Sequence, residues 1–360
     1  LEALLARHGR VNSVGRTFGV FKLTHRGTEI DISLPRRDSK MGPGHKGIAV
    51  EGDPTMSVHE AARRRDLTVN AMMWDVCGQT LIDPVEGRAD LDRRLLRAVD
   101  NHSFLEDPLR VLRVAQFAAR FSFDIEPTLE HLCASAQLDE LPPERIQGEW
   151  YKLLLRGVCP SRGLAFLRRT TLANRLFPER VDDLRLDEAI DRFARARSSS
   201  TPEGHQLAVG LTAWLAKTSV DGADATMTRL AVHTHHGFPV RERVLSVLAE
   251  RDTIPSDPPS IRRLATRTVL RAWLDVHDAL AIHPEQTRRS WRATTESLGV
   301  LDTAPTPLLQ GRDLLALGIA PGPRVGLILR EIYDRQLDGD ITDRETAVAL
   351  AHDLCQREST

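Results

Sequence analysis

An α+β fold that is mostly α, a small α/β head followed by an all-helical remainder, is predicted by three features of the sequence. Two short β-patterned runs joined by turn residues fall near the N-terminal end. Beyond Met56, apolar residues recur at helical spacing almost to the last residue. With 360 residues, 41% of them hydrophobic, the chain is long enough for two or more domains with real cores.

In the head, Leu1 to Ala6 reads as a helix end closed by Gly9. Thr17 to Thr24 is rich in β-branched and aromatic residues, His25-Arg26-Gly27-Thr28 is turn chemistry, and Glu29 to Leu34 alternates strictly. Alternation turns Ile30, Ile32 and Leu34 one way and Glu29, Asp31 and Ser33 the other. Pro35 to Pro54 is polar, contains GPGHKG, and reads as a long loop of the kind that is functional or disordered.

Ser57 is expected to cap a helix, with Glu60 completing a capping box. Asp107 to Phe121 places Leu109, Val111, Leu112, Ala115, Ala118 and Ala119 along one helical side. Further helices are expected over Pro143 to Leu155, Ser161 to Arg169, Leu186 to Arg197, Gln206 to Lys217 and Ser260 to Ile282. Gly311 to Leu317, Pro323 to Leu337 and Asp343 to Gln356 complete the set. SSSTPEG at Ser198 to Gly204 marks a loop, and the Pro-rich run Pro305 to Pro307 marks a boundary.

Formal net charge is -1, but it sums 49 Lys+Arg against 50 Asp+Glu, so a basic RNA-binding surface is not excluded. Cys77, Cys133, Cys159 and Cys355 form no CxxC pair and read as reduced thiols of a cytoplasmic protein. No apolar run approaches the ~20 residues that cross a bilayer, so no membrane partner is expected. LEALLARHGR lacks the pattern of a secretory signal, and an initial Leu rather than Met is expected of a partial chain.

Three signatures carry chemistry: RRRDLTVNAMMWD (Arg63 to Asp75), LIDPVEGRADLDRRLLR with FLEDPLRVLRVAQFAARF (Leu81 to Phe121), and GRDLLALGIAPGPRVGLILREIYDRQLDGDIT (Gly311 to Thr342). In the second, Asp107 and Arg110 are three apart on an expected helix and so project from one face. A carboxylate only accepts hydrogen bonds and a guanidinium only donates them. Cytosine and adenine each present an amino donor beside a ring-nitrogen acceptor, whereas uracil and guanine present a carbonyl beside an N–H. One fixed acceptor–donor pair therefore suits C and A and leaves groups unpaired opposite U and G; such contacts discriminate by about 1–3 kcal/mol each. Read on spacing alone, the pair is an i,i+3 surface salt bridge.

Together with VGRTFGVFKL, these motifs closely resemble class II tRNA nucleotidyltransferases (CCA-adding enzymes) and the related bacterial poly(A) polymerases. The order RRDxxxNAM before EDPLRxLR is the specific part of the likeness, which covers about Arg10 to Lys152 and the last fifty or so residues. The resemblance implies a polymerase beta-like nucleotidyltransferase head, its N-terminal part missing (residues 1–75), a base-binding helical neck (76–160), a helical body (161–304) and a tRNA-binding tail (305–360). It implies transfer of CMP and AMP from CTP and ATP to the tRNA 3′ end, with release of pyrophosphate. Asp107 and Arg110 take the base-reading role, while Arg64, Arg65, Asp66 and Asn70 lie beside ribose and phosphates. Asp66 as the cap of a following helix is the alternative for that residue.

Asp31 matches an acidic position that serves in the family as a catalytic metal ligand, one of three carboxylates for two Mg2+ ions. The GGxVRD motif followed by DxD, which supplies the others, does not occur in the chain, which is therefore expected to be inactive alone. Pro35 to Pro54 takes the place of the family's flexible loop. PGPRVG places Arg324 in the first turn of a helix, where exposed N–H groups suit a tRNA phosphate; a capped helix with Arg324 in solvent is the plain alternative. An A-adding enzyme, a poly(A) polymerase and a non-catalytic RNA- or nucleotide-binding relative are the rival functions.

His233, His235 and His236 (HTHH) look like metal ligands, and His277-Asp278 looks like a phosphohydrolase doublet. Neither brings the further ligands a site needs, so satisfied surface or core histidines are the preferred reading.

Overall fold

The computed structural model describes residues 2–14, 20–40, 48–181 and 183–357. The fold is α+β and mostly α, and it divides into two compact units, Leu1–Pro142 and Pro143–Thr360.

In the first unit, α1 (Glu2–Leu5) precedes β1 (Arg10–Val14), β2 (Val20–His25) and β3 (Thr28–Ser33), an antiparallel sheet in that order. Arg26 (φ 49°) and Gly27 (φ 81°) are both left-handed, the geometry of a two-residue turn whose twist matches its flanking strands. Pairing continues as β4 (Arg36–Lys40) against β5 (Ile48–Gly52), which corrects the loop expected from Pro35 to Pro54. One flank is the wholly polar RRDSK and the other offers only Ile48 and Val50 as β-branched residues, so periodicity could not see a ladder held by backbone hydrogen bonds. The GPGHKG segment lies outside the described residues.

α2 (Val58–Arg63) begins at Ser57, whose Oγ accepts from Glu60 N while Ser57 N donates to Glu60 Oε2, the expected capping box. A 3-10 turn comes next at Thr68–Asn70, then the hairpin β6 (Met73–Asp75) and β7 (Thr80–Ile82), and α3 (Gly87–Arg93). β8 (Leu95–Leu96), α4 (Leu109–Phe121), β9 (Asp124–Ile125) and α5 (Pro127–Ala134) complete the unit, with β8 and β9 parallel. Strands of two or three residues are too short to interrupt a helical pattern, which is why none is expected beyond Met56 from sequence. α4 buries Leu109, Val111, Leu112, Ala115, Ala118 and Ala119, the stripe read from its sequence. It starts two residues later than expected, so Asp107 stands ahead of it.

The second unit is helical: α6 (Pro143–Arg156), α7 (Pro160–Arg169), α8 (Leu172–Leu176), α9 (Arg185–Ala196), α10 (Glu203–Trp214), α11 (Val220–Arg229) and α12 (Val240–Ala249). After these come α13 (Pro258–Ala265), α14 (Leu270–Leu280), α15 (Glu285–Ser297), α16 (Gly311–Ala316), α17 (Pro323–Asp338) and α18 (Arg344–Arg357). α10 is apolar almost all round, and such a helix must be central. It is buried from Gly204 to Trp214 apart from Gln206, with α6, α9, α12 and α14 packed around it.

The single helix expected from Ser260 to Ile282 is two, broken at Thr266–Val269, where Thr266 Oγ1 bonds back to Arg263 O. α15 is not among the expected helices because only Trp291 and Thr295 of its thirteen residues are buried, too thin a stripe to read. Leu309, Leu314, Ile328, Ile332, Ile341, Ala347 and Ala351 make a separate core for the last three helices. No helix is long and apolar enough to cross a membrane.

Candidate nucleotide site in the first unit

Asp66 organises the RRRDLTVN segment. It is 7% exposed; Oδ1 accepts from Leu67 N at 2.8 Å and from Asn70 Nδ2 at 3.2 Å, and Oδ2 accepts from Arg113 Nε at 2.5 Å. Burial by itself would raise its pKa. The charge and hydrogen bond of Arg113, with the Leu67 and Asn70 donors, outweigh burial and hold the carboxyl below its ordinary range. The segment after Asp66 is a 3-10 turn rather than a longer helix to be capped.

A second set of contacts lays this segment along Arg97–Val99. Thr68 N donates to Arg97 O and Val99 N to Asp66 O. Underneath, Asp90 is 1% exposed and takes both the Thr68 hydroxyl at 2.6 Å and Arg97 Nε at 2.9 Å. Asp83 accepts Gly87 N and Arg88 N and so fixes the start of α3. The LIDPVEGRADLDRRLLR signature is thus the bed on which Thr68–Asn70 rests.

Gly87 belongs to that bed for want of room. A Cβ there would lie 2.2 Å from Thr68 O and 2.9 Å from its carbonyl carbon. Gly87→Ala must push the Asn70 turn aside, and overpacking against backbone costs about 1–3 kcal/mol. The expected result is a lower urea midpoint with faster amide exchange at 68–71; an unchanged midpoint would show that the turn is free to shift.

Arg110 joins the two leading signatures. Its Nη1 donates to Ser103 O and its Nη2 to Arg64 O, each at 2.8 Å, which ties the EDPLR start of α4 to the end of α2. Asp107 is extended (φ -117°, ψ 98°), and its Oδ1 accepts from Leu109 N at 3.2 Å. The two residues are therefore not neighbours on a helical face. Asp107 acts as a capping residue and Arg110 lies in the first turn, which still sets an acceptor and a donor at one helix start. Arg64 is half-buried at the end of α2, and Arg65, beside it, is exposed.

Arg113 is the residue that sequence reasoning missed. It sits one turn beyond Arg110 in EDPLRVLR, stacks over the Phe117 ring at 5.2 Å and holds Asp66. Its signal was the i,i+3 spacing from Arg110 within a quoted motif, but its partner lies 47 residues away.

Asp31 belongs to the three-stranded sheet. It is exposed on β3 opposite Lys22, whose Nζ is 4.0 Å from Oδ1, and no hydrogen bond or ion pair among the described residues joins it to Asp66 or Arg110. Of the metal carboxylates that the resemblance implies, the described residues supply Asp31 alone. One exposed carboxylate beside a lysine does not make a site for two Mg2+ ions. In the second unit, Arg324 Nη2 donates to Cys355 O at 2.7 Å and ties the first turn of α17 to the end of α18.

Known proteins share both the sequence and the fold of this unit. The sequence model of the "Poly A polymerase head domain" matches residues 1–97, and that of the "Probable RNA and SrmB- binding site of polymerase A" matches residues 122–184. The chain is 41% identical over 173 residues to the Multifunctional CCA protein of Thioalkalivibrio sulfidiphilus, 46% of this chain and 41% of that one. It is 41% identical over 191 residues to that of Aromatoleum aromaticum, 51% of this chain and 44% of the relative. The matched stretch thus spans less than half the length of these curated relatives.

In three dimensions the chain is similar to the Bacillus stearothermophilus CCA-adding enzyme in complex with CTP, with a TM-score of 0.72 at 22% identity, covering 98% of this chain and 86% of that one. The Thermotoga maritima CCA-adding enzyme complexed with tRNA matches with a TM-score of 0.59 at 20% identity, covering 96% and 80%. At those identities the likeness establishes a shared fold. The sequence matches over residues 1–97 and 122–184, together with this fold, make the chain similar to the poly(A) polymerases and CCA-adding enzymes.

Proposed function

We infer that the chain is the nucleotide-selecting and RNA-binding part of a template-independent tRNA nucleotidyltransferase, which adds CMP and AMP from CTP and ATP to the tRNA 3′ end in the cytoplasm. The observation that carries this reading is the junction made by Arg110. The side chain that clamps Arg64 O is also the donor set beside the Asp107 acceptor. A guanidinium has five donors, and the two carbonyl contacts leave others to meet a base. Arg64, Arg65 and Asn70 are the groups for triphosphate and ribose, and the Asp66 carboxylate holds the Asn70 amide. The relatives support the same substrates, being named for CCA addition or bound to CTP and tRNA. On this reading Mg2+ is the metal, with Asp31 as one ligand, and Arg324 contributes to tRNA binding from the helical tail.

Binding of each nucleoside triphosphate to the chain tests this without requiring turnover. CTP and ATP should bind about 10–100-fold more tightly than UTP and GTP. Asp107→Asn keeps a capping side chain but adds a donor, so it should relax that preference while leaving thermal stability nearly unchanged. Equal affinity for all four nucleotides in the unaltered protein would overturn the base-reading role. A preference for ATP over CTP as well would move the reading to an A-adding enzyme or poly(A) polymerase.

A further inference from the structure

The turn between α11 and α12 presents two imidazoles to a carboxylate from the first turn of α10. His235 and Phe238 exchange both backbone hydrogen bonds, at 2.9 and 3.0 Å, around His236 (φ 49°) and Gly237 (φ 82°). Two left-handed residues in succession form a tight mirror-image turn, and histidine takes that conformation at a steric cost that glycine does not bear. Strain of this kind gathers at functional positions. Here the turn sets the two rings side by side, with centroids 4.2 Å apart.

Glu203 completes the cluster. Its Oε2 lies 3.3 Å from His235 Nε2, and its Oε1 is held by Arg156 Nη2 at 2.9 Å. His235 is steadied by the edge of Tyr151, ring centroids 5.4 Å apart. One ligand atom from each of Glu203, His235 and His236 falls within 4.8 Å of the others, and this is the one such group among the described residues. Two donor atoms on one tetrahedral zinc stand about 3.3 Å apart, given bonds of about 2.0–2.2 Å. The His235–Glu203 separation already has that value. His236 is exposed and can close the remaining gap by turning its side chain.

We propose that Glu203, His235 and His236 bind a divalent late first-row ion of the zinc class, tying the start of α10 to the α11–α12 turn. Two neutral imidazoles and one carboxylate suit Zn2+, and hard ions such as Mg2+ would not choose them. Arg156 fixes the carboxylate in the manner of an outer partner and leaves Oε2 facing the rings. Three protein donors leave the fourth position to water. Histidines read from HTHH alone fall short of a site because the carboxylate lies 32 residues upstream.

The test is titration of the chelator-stripped, tag-free chain with Zn2+ by calorimetry, with Co2+ as the spectroscopic probe. One ion per chain is expected, with a rise in melting temperature and the visible bands of a tetrahedral Co2+ complex. His236→Ala, at an exposed position, and Glu203→Gln should each weaken Zn2+ binding by about tenfold or more. His233→Ala, outside the cluster, should leave it unchanged, and Mg2+ should give no comparable heat. If Zn2+ binds His236→Ala as tightly as the unaltered chain, or if His233→Ala is as damaging as His236→Ala, the site is refuted and the histidines form only a loose surface tract.

Discussion

Acid should destabilise the second unit through His277, by about 3 kcal/mol as the pH falls from about 6.5 to about 4. His277 is 1% exposed, and neither ring nitrogen has a protein hydrogen-bond partner among the described residues. It packs at a tilt against Trp273, ring centroids 3.9 Å apart, and stands edge-on to Trp291. Burial, with lesser contributions from His283 and Arg288, pushes its pKa down from 6.5 to about 4 against the opposing pull of Asp278 and Asp252.

Because the folded value lies below the unfolded one, the unfolded chain holds the proton more tightly. The stability is therefore complete above about pH 6.5, declines as the pH drops towards the folded value and levels off below it. His277→Leu removes the titrating group without breaking a hydrogen bond, so it should flatten this limb and leave neutral-pH stability close to that of the parent. Urea midpoints followed by tryptophan fluorescence across this range read the effect, since Trp273 and Trp291 flank the ring. A limb of equal slope in His277→Leu would assign the acid sensitivity elsewhere.

Arg113→Ala should cost the first unit about 3 kcal/mol, the low end for breaking a buried ion pair, because the Arg113 side chain is 31% exposed while Asp66 is 7% exposed. The loss arises from the carboxylate left behind. Asp66 would retain only Leu67 N and Asn70 Nδ2 as donors for a charge removed from water. Amide exchange at residues 66–71 should speed up in step with the loss, since this segment would open before the rest of the unit.

A double-mutant cycle with Asp66→Asn separates the pair from its surroundings: strong coupling is expected, and simple additivity of the two losses would sink the assignment. The pH dependence has a definite sign. Asp66 has a depressed folded value, so its contribution is present above the ordinary carboxylate range and is lost as the pH falls through the lower folded value. Arg113→Ala should erase that part of the acid limb. Nucleotide affinity should fall with the same variant, because Asp66 without Arg113 holds the Asn70 amide less firmly.

Much of the helical framework was legible in the sequence because it is local. The apolar stripe of α4, the capping box at Ser57 and the apolar circumference of α10 are patterns within one to four turns, and each implies its burial directly. The family likeness was legible for a related reason: RRD before EDPLR is an order of residues, and order survives without coordinates.

Relations between distant residues were beyond the sequence. It offered Asp66 as a ribose contact or a helix cap, and only the fold delivered Arg113 to its carboxylate. It placed Asp107 and Arg110 on one helical face, whereas backbone geometry ahead of α4 made the first a capping residue and the second a clamp on Arg64. It left RRDSK as loop because pairing energy lies in a partner strand and not in side-chain type. It dismissed His235 and His236 for lack of a third ligand, which the fold provides from Glu203. Periodicity decides which face of an element is buried; only packing decides which charges then have to meet, because a charge removed from water needs a partner wherever in the chain that partner lies.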